Sequence, residues 1–161
     1  MGKREDVCAW LREKGVAYEL SEHPPVYTIE EMEELGLCLR GNVCKNLFLR
    51  DAKGKRHFLV LISREKQADL KQLGERTGVR FSFASEERLA KYLNLTKGSV
   101  TPLGVYYDHD AAVEILVDQD LVGEPRLGVH PCENTATVFL DYRELERLIR
   151  ENGNSLTIVK L

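Results

Sequence analysis

Three short segments contain residues whose types and spacing could do chemistry. Lys45 and Asn46 open an apolar run that should form a buried strand, so a charge at that position requires a reason. The segment 98–102 is a short loop that begins with glycine and ends with proline. His130 lies just before another predicted strand. Together these segments supply a cation, a loop of backbone N–H groups and an imidazole, which are groups that an ester hydrolase can use.

The loop could form an oxyanion hole. Gly98 can adopt conformations closed to other residues and Pro102 fixes the far end, so the amides of Ser99, Val100 and Thr101 could converge on one point. Loss of one oxyanion-hole donor typically slows a reaction by ~10²- to 10³-fold, so such a loop could supply much of the catalysis. The alternative is a plain turn before the next strand, since glycine and proline are common in turns.

Lys45 and His130 also have structural alternatives. A lysine beside apolar residues commonly buries its stem and extends its ammonium group into water, and His130 could be a strand-edge residue. Cys44 and Cys132 adjoin these positions, so a cysteine–histidine nucleophilic pair is a further alternative. The four cysteines form no C-x-x-C pair, which favours buried thiols in a reducing compartment.

Other classes of chemistry lack their sequence motifs. The chain contains no G-x-S-x-G elbow, no H-E-x-x-H pair, no G-x-x-x-x-G-K-[ST] loop and no G-x-G-x-x-G fingerprint. Its four histidines are scattered. We therefore expect no metal, nucleotide or other cofactor.

Length and composition are typical of one globular domain. The 161 residues are 43% hydrophobic and 30% charged, which is enough chain to bury a core. No apolar stretch approaches the ~18 residues that a membrane span needs. The N-terminus lacks the apolar run of a signal peptide. We expect a single domain over residues 1–161, in the cytoplasm and not in a membrane.

Charge is unevenly distributed along the sequence. Residues 40–97 contain 14 Lys or Arg and 6 Asp or Glu, so this segment carries +8 and the rest carries −11, within a net charge of −3. Such asymmetry fits a basic face that meets a phosphate backbone. The alternative is that the charges mix on the folded surface. Lys53, Lys55 and Arg56, in a predicted hairpin turn, are the expected nucleic-acid contacts.

Hydrophobic periodicity predicts helices and strands in mixed order. Helices are expected at 7–14, 28–35, 67–73, 85–93 and 141–151, and strands at 17–20, 45–50, 56–62, 79–83, 105–107, 113–117, 135–140 and 156–159. Hairpins outnumber helical crossovers in this order. We therefore predict an α+β fold with a mixed, mainly antiparallel sheet surrounded by helices, in preference to a doubly wound α/β fold.

The order of the motifs resembles a known family. Lys45-Asn46, the G-x-x-x-P loop and His130-Pro131, taken with residues 23–28, resemble the prolyl-tRNA editing deacylases. These are free-standing relatives of the editing insertion domain of bacterial prolyl-tRNA synthetase. The resemblance implies a curved mixed sheet wrapped by helices. It also implies hydrolysis of the ester that joins a wrong amino acid to the 3′ end of tRNA(Pro).

The resemblance assigns expected roles to individual residues. Lys45 would bind the terminal phosphate or ribose, and Asn46 would help to orient it. The loop amides would hold the developing oxyanion while a water molecule, positioned by the substrate's own hydroxyl and amine groups, attacks. His130 would lie beside the terminal adenosine. The remaining expected substrate contacts are Tyr27, Thr28 and Pro102.

The expected substrate is Ala-tRNA(Pro). Residues 23–25 and 46–49 look more like the alanine-clearing branch of the superfamily than the cysteine-clearing branch. A synthetase pocket shaped for proline discriminates against a smaller amino acid by only ~1–3 kcal/mol, so a second site is needed. The alternatives are a deacylase for Cys-tRNA(Pro) or another small amino acid, and a non-catalytic tRNA-binding protein linked to proline metabolism. The expected partner is the acceptor end of tRNA(Pro), with prolyl-tRNA synthetase as a second candidate.

Overall fold

Helices and strands occur in mixed order along the computed structural model, which describes residues 2–161. The helices are α1 (Lys3–Glu13), α2 (Ile29–Glu34), α3 (Leu70–Thr77), α4 (Glu86–Leu93) and α5 (Tyr142–Asn152). The strands are β1 (Tyr18–Glu22), β2 (Asn42–Asp51), β3 (His57–Ser63), β4 (Phe81–Phe83), β5 (Val113–Asp118), β6 (Leu127–Val129), β7 (Ala136–Leu140) and β8 (Leu156–Val159). None of the helices within residues 2–161 is long and apolar enough to cross a membrane.

The strands form one mixed sheet. Its order is β1-β7-β6-β2-β3-β5-β8, and β4 pairs with part of β2. The pairs β1–β7, β6–β7, β2–β3 and β2–β4 are antiparallel, whereas β2–β6, β3–β5 and β5–β8 are parallel. The predicted α+β fold with a mixed, mainly antiparallel sheet is confirmed.

Strand β2 has an incomplete edge. One side pairs with β3 from Cys44 to Arg50. On the other side, β6 pairs only with Asn42 and Val43, and β4 pairs only with 49–51. The middle of β2 therefore has no neighbouring strand on that side. Backbone polar groups along such an edge need other partners, and a ligand can supply them.

Both faces of the sheet are covered, because side chains alternate along each strand. Cys44 and Phe48 of β2 face the largest apolar cluster, to which α1, α4 and α5 contribute. Leu49 faces a smaller cluster that includes Phe58 of β3 and Leu73 of α3. This two-sided burial explains why β3 has a continuous apolar sequence with no polar alternation.

The segment 105–107, which was predicted to be a strand, lies in a 3-10 helix that spans Pro102–Tyr107. The prediction of a hairpin here was wrong for a local reason. Pro102 occupies the first turn, where its fixed φ favours a helix, and the Thr101 hydroxyl caps that turn by accepting a hydrogen bond from Leu103 N at 3.3 Å.

Several other elements differ from their predicted bounds: α1 begins at Lys3 and β2 at Asn42, for example, both earlier than expected. Helix α3 begins later than expected because Asp69 caps it, and it ends only at Gly78, whose φ of 77° is in the left-handed region. Gly74, expected to end the helix, lies inside it. Strand β6 was not predicted, since three residues around Gly128 are too short for a periodicity to show.

Candidate functional site

A cavity of about 290 Å³ lies at the incomplete edge of β2. Its walls come from β2, the end of β6, the segment that leads into α2, and the loop after α4. Seven of the ten residues predicted to act in catalysis or substrate binding line it. These are Tyr27, Thr28, Lys45, Asn46, Gly98, Val100 and His130. The fold thus brings together segments that are far apart in sequence.

Lys45 points its ammonium group at a backbone carbonyl. Its Nζ donates a 2.7 Å hydrogen bond to the carbonyl oxygen of Lys66, in the turn after β3. The ammonium group carries three N–H donors, so two remain for a ligand. The side chain is half-buried. Lys45 is therefore an anchored cation at the cavity and not a lysine that only extends into water.

Asn46 has a buried oxygen without a partner. Its Oδ1 atom has no hydrogen-bond donor within residues 2–161, while its Nδ2 lies 3.5 Å from the Cys44 carbonyl. A buried acceptor left unpaired costs roughly 1–3 kcal/mol, and native structures tolerate few of them. Asn46 is also one of the residues that line the cavity.

The loop after α4 offers two free amides. Lys97–Ser99 forms one 3-10 turn in which Ser99 N donates to the Thr96 carbonyl at 3.0 Å, so this amide is already paired. Within the described part of the chain, the N–H groups of Gly98 and Val100 have no acceptor, and both residues line the cavity. The oxyanion-hole prediction therefore rests on these two amides.

Thr101 and Pro102 lie behind the cavity wall. Thr101 is fully buried, and its hydroxyl donates a 2.6 Å hydrogen bond to the carbonyl of His130. Pro102 is also buried and begins the next 3-10 helix. These two residues fasten the loop to the strand end that carries His130, although neither is among the residues that line the cavity.

Glycine is required at position 98 by a close contact. A Cβ atom there would lie 2.8 Å from two ring carbons of Tyr27 and 3.2 Å from Nδ2 of Asn134. Gly98 is not among the glycines with positive φ. The reason given from the sequence, glycine's conformational range, is therefore wrong. The Tyr27 side chain remains 71% exposed above this contact.

Thr28, one residue after Tyr27, is the N-cap of helix α2. Its hydroxyl caps α2 by accepting a hydrogen bond from Glu31 N at 3.1 Å. A threonine at this position satisfies one of the free amides of the first helical turn. Thr28 thus positions one wall of the cavity while it also lines it.

His130 is a neutral imidazole with a defined tautomer. Its Nδ1 lies 2.9 Å from the Ala136 carbonyl, which can only accept, so Nδ1 carries the proton and Nε2 is the free acceptor. Burial lowers the pKa of His130, the hydrogen bond to Ala136 raises it, and the neighbouring His23 lowers it, with a net decrease. His130 can orient a donor on a ligand but does not supply a positive charge at neutral pH.

The cysteines near the site are poor nucleophiles. Burial raises the pKa of the Cys44 thiol to about 12, and its Sγ donates to the Gly128 carbonyl at 3.9 Å. Burial also raises the pKa of Cys132 to about 12. Both thiols are therefore protonated near neutral pH, whereas the nucleophilic form of cysteine is the thiolate. This result counts against the cysteine–histidine pair. Residues 2–161 contain no group of three His, Cys, Asp or Glu that could hold a metal ion.

The predicted basic turn joins β2 and β3. Arg56 is paired there, because its Nε and one terminal nitrogen each donate a 2.8 Å hydrogen bond to the Glu114 carboxylate. Lys53 and Lys55 are exposed and form no ion pair within residues 2–161. The turn lies roughly 20 Å from Lys45 along β2, at about 3.3 Å per residue. Only the two lysines therefore present free charges, at a distance from the cavity.

Eleven of the residues that line the cavity were not among the predicted site residues, and Lys97, Met32 and Thr137 illustrate why. Lys97 directly precedes the G-x-x-x-P motif, so its neighbours in sequence could have identified it. Met32 comes from α2 and Thr137 from β7, where the Thr137 hydroxyl pairs with His23 Nε2 at 2.9 Å. Nothing in their local sequence distinguishes these two from ordinary core residues.

The chain is similar in sequence to known proteins of aminoacyl-tRNA editing. A family model described as the aminoacyl-tRNA editing domain matches residues 23–148. The prolyl-tRNA editing protein ProX of Acetoanaerobium sticklandii is 48% identical over 162 residues, which cover 100% of this chain and 99% of that protein. The prolyl-tRNA synthetase associated domain-containing protein 1 of Danio rerio is 32% identical over 97% of this chain and 86% of that protein.

A solved structure shows the same fold. The crystal structure of a candidate trans-editing enzyme for prolyl-tRNA synthetase matches with a TM-score of 0.76 at 22% identity, covering 100% of this chain and 98% of that one. The matched family model spans most of the chain, and the resemblance noted in the sequence is confirmed. The chain therefore belongs to the aminoacyl-tRNA editing domain family, in its branch of prolyl-tRNA editing deacylases.

Proposed function

We propose that the protein is an aminoacyl-tRNA deacylase that hydrolyses, in trans, the ester joining a wrong amino acid to tRNA(Pro), with Ala-tRNA(Pro) as its main substrate. The observation that carries the proposal is the unpaired buried Oδ1 of Asn46, in a cavity that also holds the Lys45 ammonium group. The ProX protein, which is 48% identical, is named for prolyl-tRNA editing. An aminoacyl ester supplies an amine and a hydroxyl that can donate to the Asn46 oxygen, and a carbonyl that can accept from the loop amides.

Each polar group of the cavity has a matching group on the ester. The Asn46 oxygen accepts from the α-ammonium group or the free ribose hydroxyl. The two unused N–H donors of Lys45 bind a phosphate or ribose oxygen of the terminal nucleotide. His130, neutral and with Nε2 as acceptor, orients a donor on the terminal adenosine.

The chemical step uses water as the nucleophile. The thiols near the cavity are protonated, so a covalent route through cysteine has no support. Water attacks the ester carbonyl, positioned by the substrate's own hydroxyl and amine. The N–H groups of Gly98 and Val100 stabilise the oxyanion that forms. One proton of the attacking water is transferred to the ribose oxygen as the ester C–O bond breaks, and the released amino acid loses the other to solvent when its carboxyl group ionises.

The size of the cavity favours a small amino acid. Its volume of about 290 Å³ is at the lower end of the ~300–1,000 Å³ typical of ligand cavities. Since the terminal ribose must also be accommodated, little space remains for the side chain. A small side chain such as that of alanine agrees with this volume. Cysteine, which is only one sulfur larger, is the second candidate.

The partner is the acceptor end of tRNA(Pro). We propose that Lys53 and Lys55 contact phosphates of the acceptor stem while the 3′ end enters the cavity roughly 20 Å away. Arg56, already bound to Glu114, contributes less than expected from the sequence. Prolyl-tRNA synthetase remains a candidate second partner, because free Ala-tRNA(Pro) must be captured soon after its release.

Deacylation of three matched substrates tests the proposal. We expect Ala-tRNA(Pro) to be hydrolysed fastest, Cys-tRNA(Pro) more slowly and Pro-tRNA(Pro) least, because on this proposal the small cavity favours small side chains. Single-turnover release of each labelled amino acid measures the order. A protein that binds all three tRNAs but deacylates none at a rate above spontaneous hydrolysis would be a binding protein and not an enzyme.

Lys45→Ala should slow deacylation of Ala-tRNA(Pro) by ~10²-fold or more, because it removes the cation that holds the terminal nucleotide. The melting temperature should change little, since a half-buried lysine can be truncated without opening a deep cavity. Lys71→Ala, an exposed lysine on α3, is the matched control. Normal activity in a folded Lys45→Ala protein would remove this residue from the site.

Gly98→Ala should reduce the single-turnover rate by roughly 10- to 100-fold and change tRNA affinity by less than about twofold, because the loop acts on the transition state. The added methyl group collides with the Tyr27 ring. The double variant Gly98→Ala/Tyr27→Ala relieves that collision and should recover part of the rate. Equal losses of affinity and rate would indicate a binding role instead.

Lys53→Glu/Lys55→Glu should weaken tRNA binding and flatten the dependence of log Kd on log salt by roughly 0.7–0.9 per lost contact. The rate at saturating tRNA should remain nearly unchanged, because the turn is far from the cavity. Lys71→Glu/Lys160→Glu, on two exposed lysines outside the turn, changes the net charge by the same amount and is the control. If the affinity and the salt slope of the double variant match those of the control, the tRNA binds elsewhere.

A further inference from the structure

The carbonyl that binds Lys45 belongs to a tight turn. This turn runs from Ser63 to Lys66, directly after β3, and Lys66 N donates to the Ser63 carbonyl at 3.0 Å. The Lys66 carbonyl accepts from Lys45 Nζ at 2.7 Å. The direction of this carbonyl therefore sets the position of the Lys45 ammonium group.

A buried carboxylate holds both ends of the turn. Asp118, at the end of β5, is fully buried. Its Oδ2 accepts from Ser63 N at 3.0 Å, and its Oδ1 accepts from Lys66 Nζ at 2.8 Å. Because the same carboxylate binds the first and the last residue of the turn, the turn cannot rotate without breaking one of these hydrogen bonds.

Lys66 is a charged partner in this arrangement. Its Nζ also lies 2.8 Å from Asp120 Oδ2, and Asp120 N donates to Asp118 Oδ1 at 3.0 Å. Burial lowers the pKa of Lys66, but the hydrogen bonds to Asp118 and Asp120 together raise it by more. The pKa of Lys66 is therefore above its usual value. Breaking a buried ion pair by removing one partner is strongly destabilising, because it leaves an uncompensated charge.

Lys66 does not line the cavity that holds Lys45. Its side chain extends away from the site, towards Asp118, while its backbone carbonyl points to Lys45. Any effect of the Lys66 side chain on the reaction must therefore pass through the turn. Nothing in the family model or in the names of the relatives assigns this task.

We propose that Lys66 and Asp118 are positioning residues: their ion pair fixes the turn whose carbonyl orients the Lys45 ammonium group towards the substrate. The inference rests on the proposed role of Lys45 in deacylation. The backbone carbonyl of Lys66 binds Lys45, and the side chain of Lys66 keeps that carbonyl in place.

A double-mutant cycle tests the proposal. Lys66→Met should slow single-turnover deacylation of Ala-tRNA(Pro) by about 10- to 100-fold, the size of effect that a misplacement of ~1 Å can cause. In a Lys45→Ala background the same change should have no further effect, because its target is already absent. Lys66→Arg, which keeps the ion pair, should retain most of the activity. Lys71→Met is the matched control on an exposed lysine.

Two measurements distinguish a loss of positioning from a loss of folded protein. Lys66→Met leaves the buried Asp118 charge short of a partner, so Lys66→Met/Asp118→Asn, which removes that charge, is measured beside it with thermal unfolding. The rate at which an amine-reactive reagent labels Lys45, followed by mass spectrometry, should rise in both variants because Lys45 is held less firmly. Labelling of Lys71 should not change.

The outcomes separate this inference from the proposed function. Equal losses for Lys66→Met in the presence and absence of Lys45, with unchanged labelling of Lys45, would indicate a general structural effect and overturn the inference. Full activity in folded Lys66→Met and Lys66→Met/Asp118→Asn, while Lys45→Ala is impaired, would overturn the inference but leave the deacylase proposal intact. Full activity in Lys45→Ala would overturn the inference and remove Lys45 from the site, whereas the absence of deacylation by the unaltered protein would overturn the proposed function.

Discussion

The site depends on strand β2, which is hydrogen-bonded to a neighbouring strand along one edge but only at the two ends of its other edge. Strand β2 is paired with β3 along most of its length, but its other edge is covered only at its ends, by β6 in parallel and by β4 in antiparallel orientation. Two neighbours of opposite direction cannot meet in one continuous ladder. The gap between them forms the cavity and places Lys45 and Asn46 at its wall.

The groups around this gap are donors and acceptors and not nucleophiles. Burial keeps the Cys44 thiol protonated and lowers the pKa of His130, which leaves it neutral, whereas Lys45 is a positive charge anchored by the Lys66 carbonyl. The unpaired Asn46 oxygen and the free amides of Gly98 and Val100 lie at the same cavity, which Glu30 and Lys97 also line. A site of this kind binds and polarises a ligand that brings its own reactive groups, which agrees with attack by water on an ester.

The sequence predicted the members of the site better than the reasons for them. Lys45, Asn46, Gly98 and His130 meet in one cavity, as the motif order suggested. The glycine, however, is required by the Tyr27 ring, which no local pattern could show. Likewise a segment balance of +8 cannot reveal that Arg56 is bound to Glu114, because ion pairs form between residues distant in sequence.

The contacts that sequence reasoning missed are mostly made by backbone atoms. Any residue supplies a carbonyl, so nothing in the sequence identifies Lys66 as the acceptor for Lys45 or the His130 carbonyl as the acceptor for Thr101. A residue type indicates such a contact only where it places a charge in the core, as Asp118 does, because a buried charge needs hydrogen-bond partners. An unpaired Asn46 oxygen and free loop amides destabilise the folded state, and they can persist because firmly bonded groups, the Asp118 turn and the Thr101 loop anchor, surround them. Binding specificity in this fold thus relies on rigid backbone directions as much as on the residue types that line the cavity.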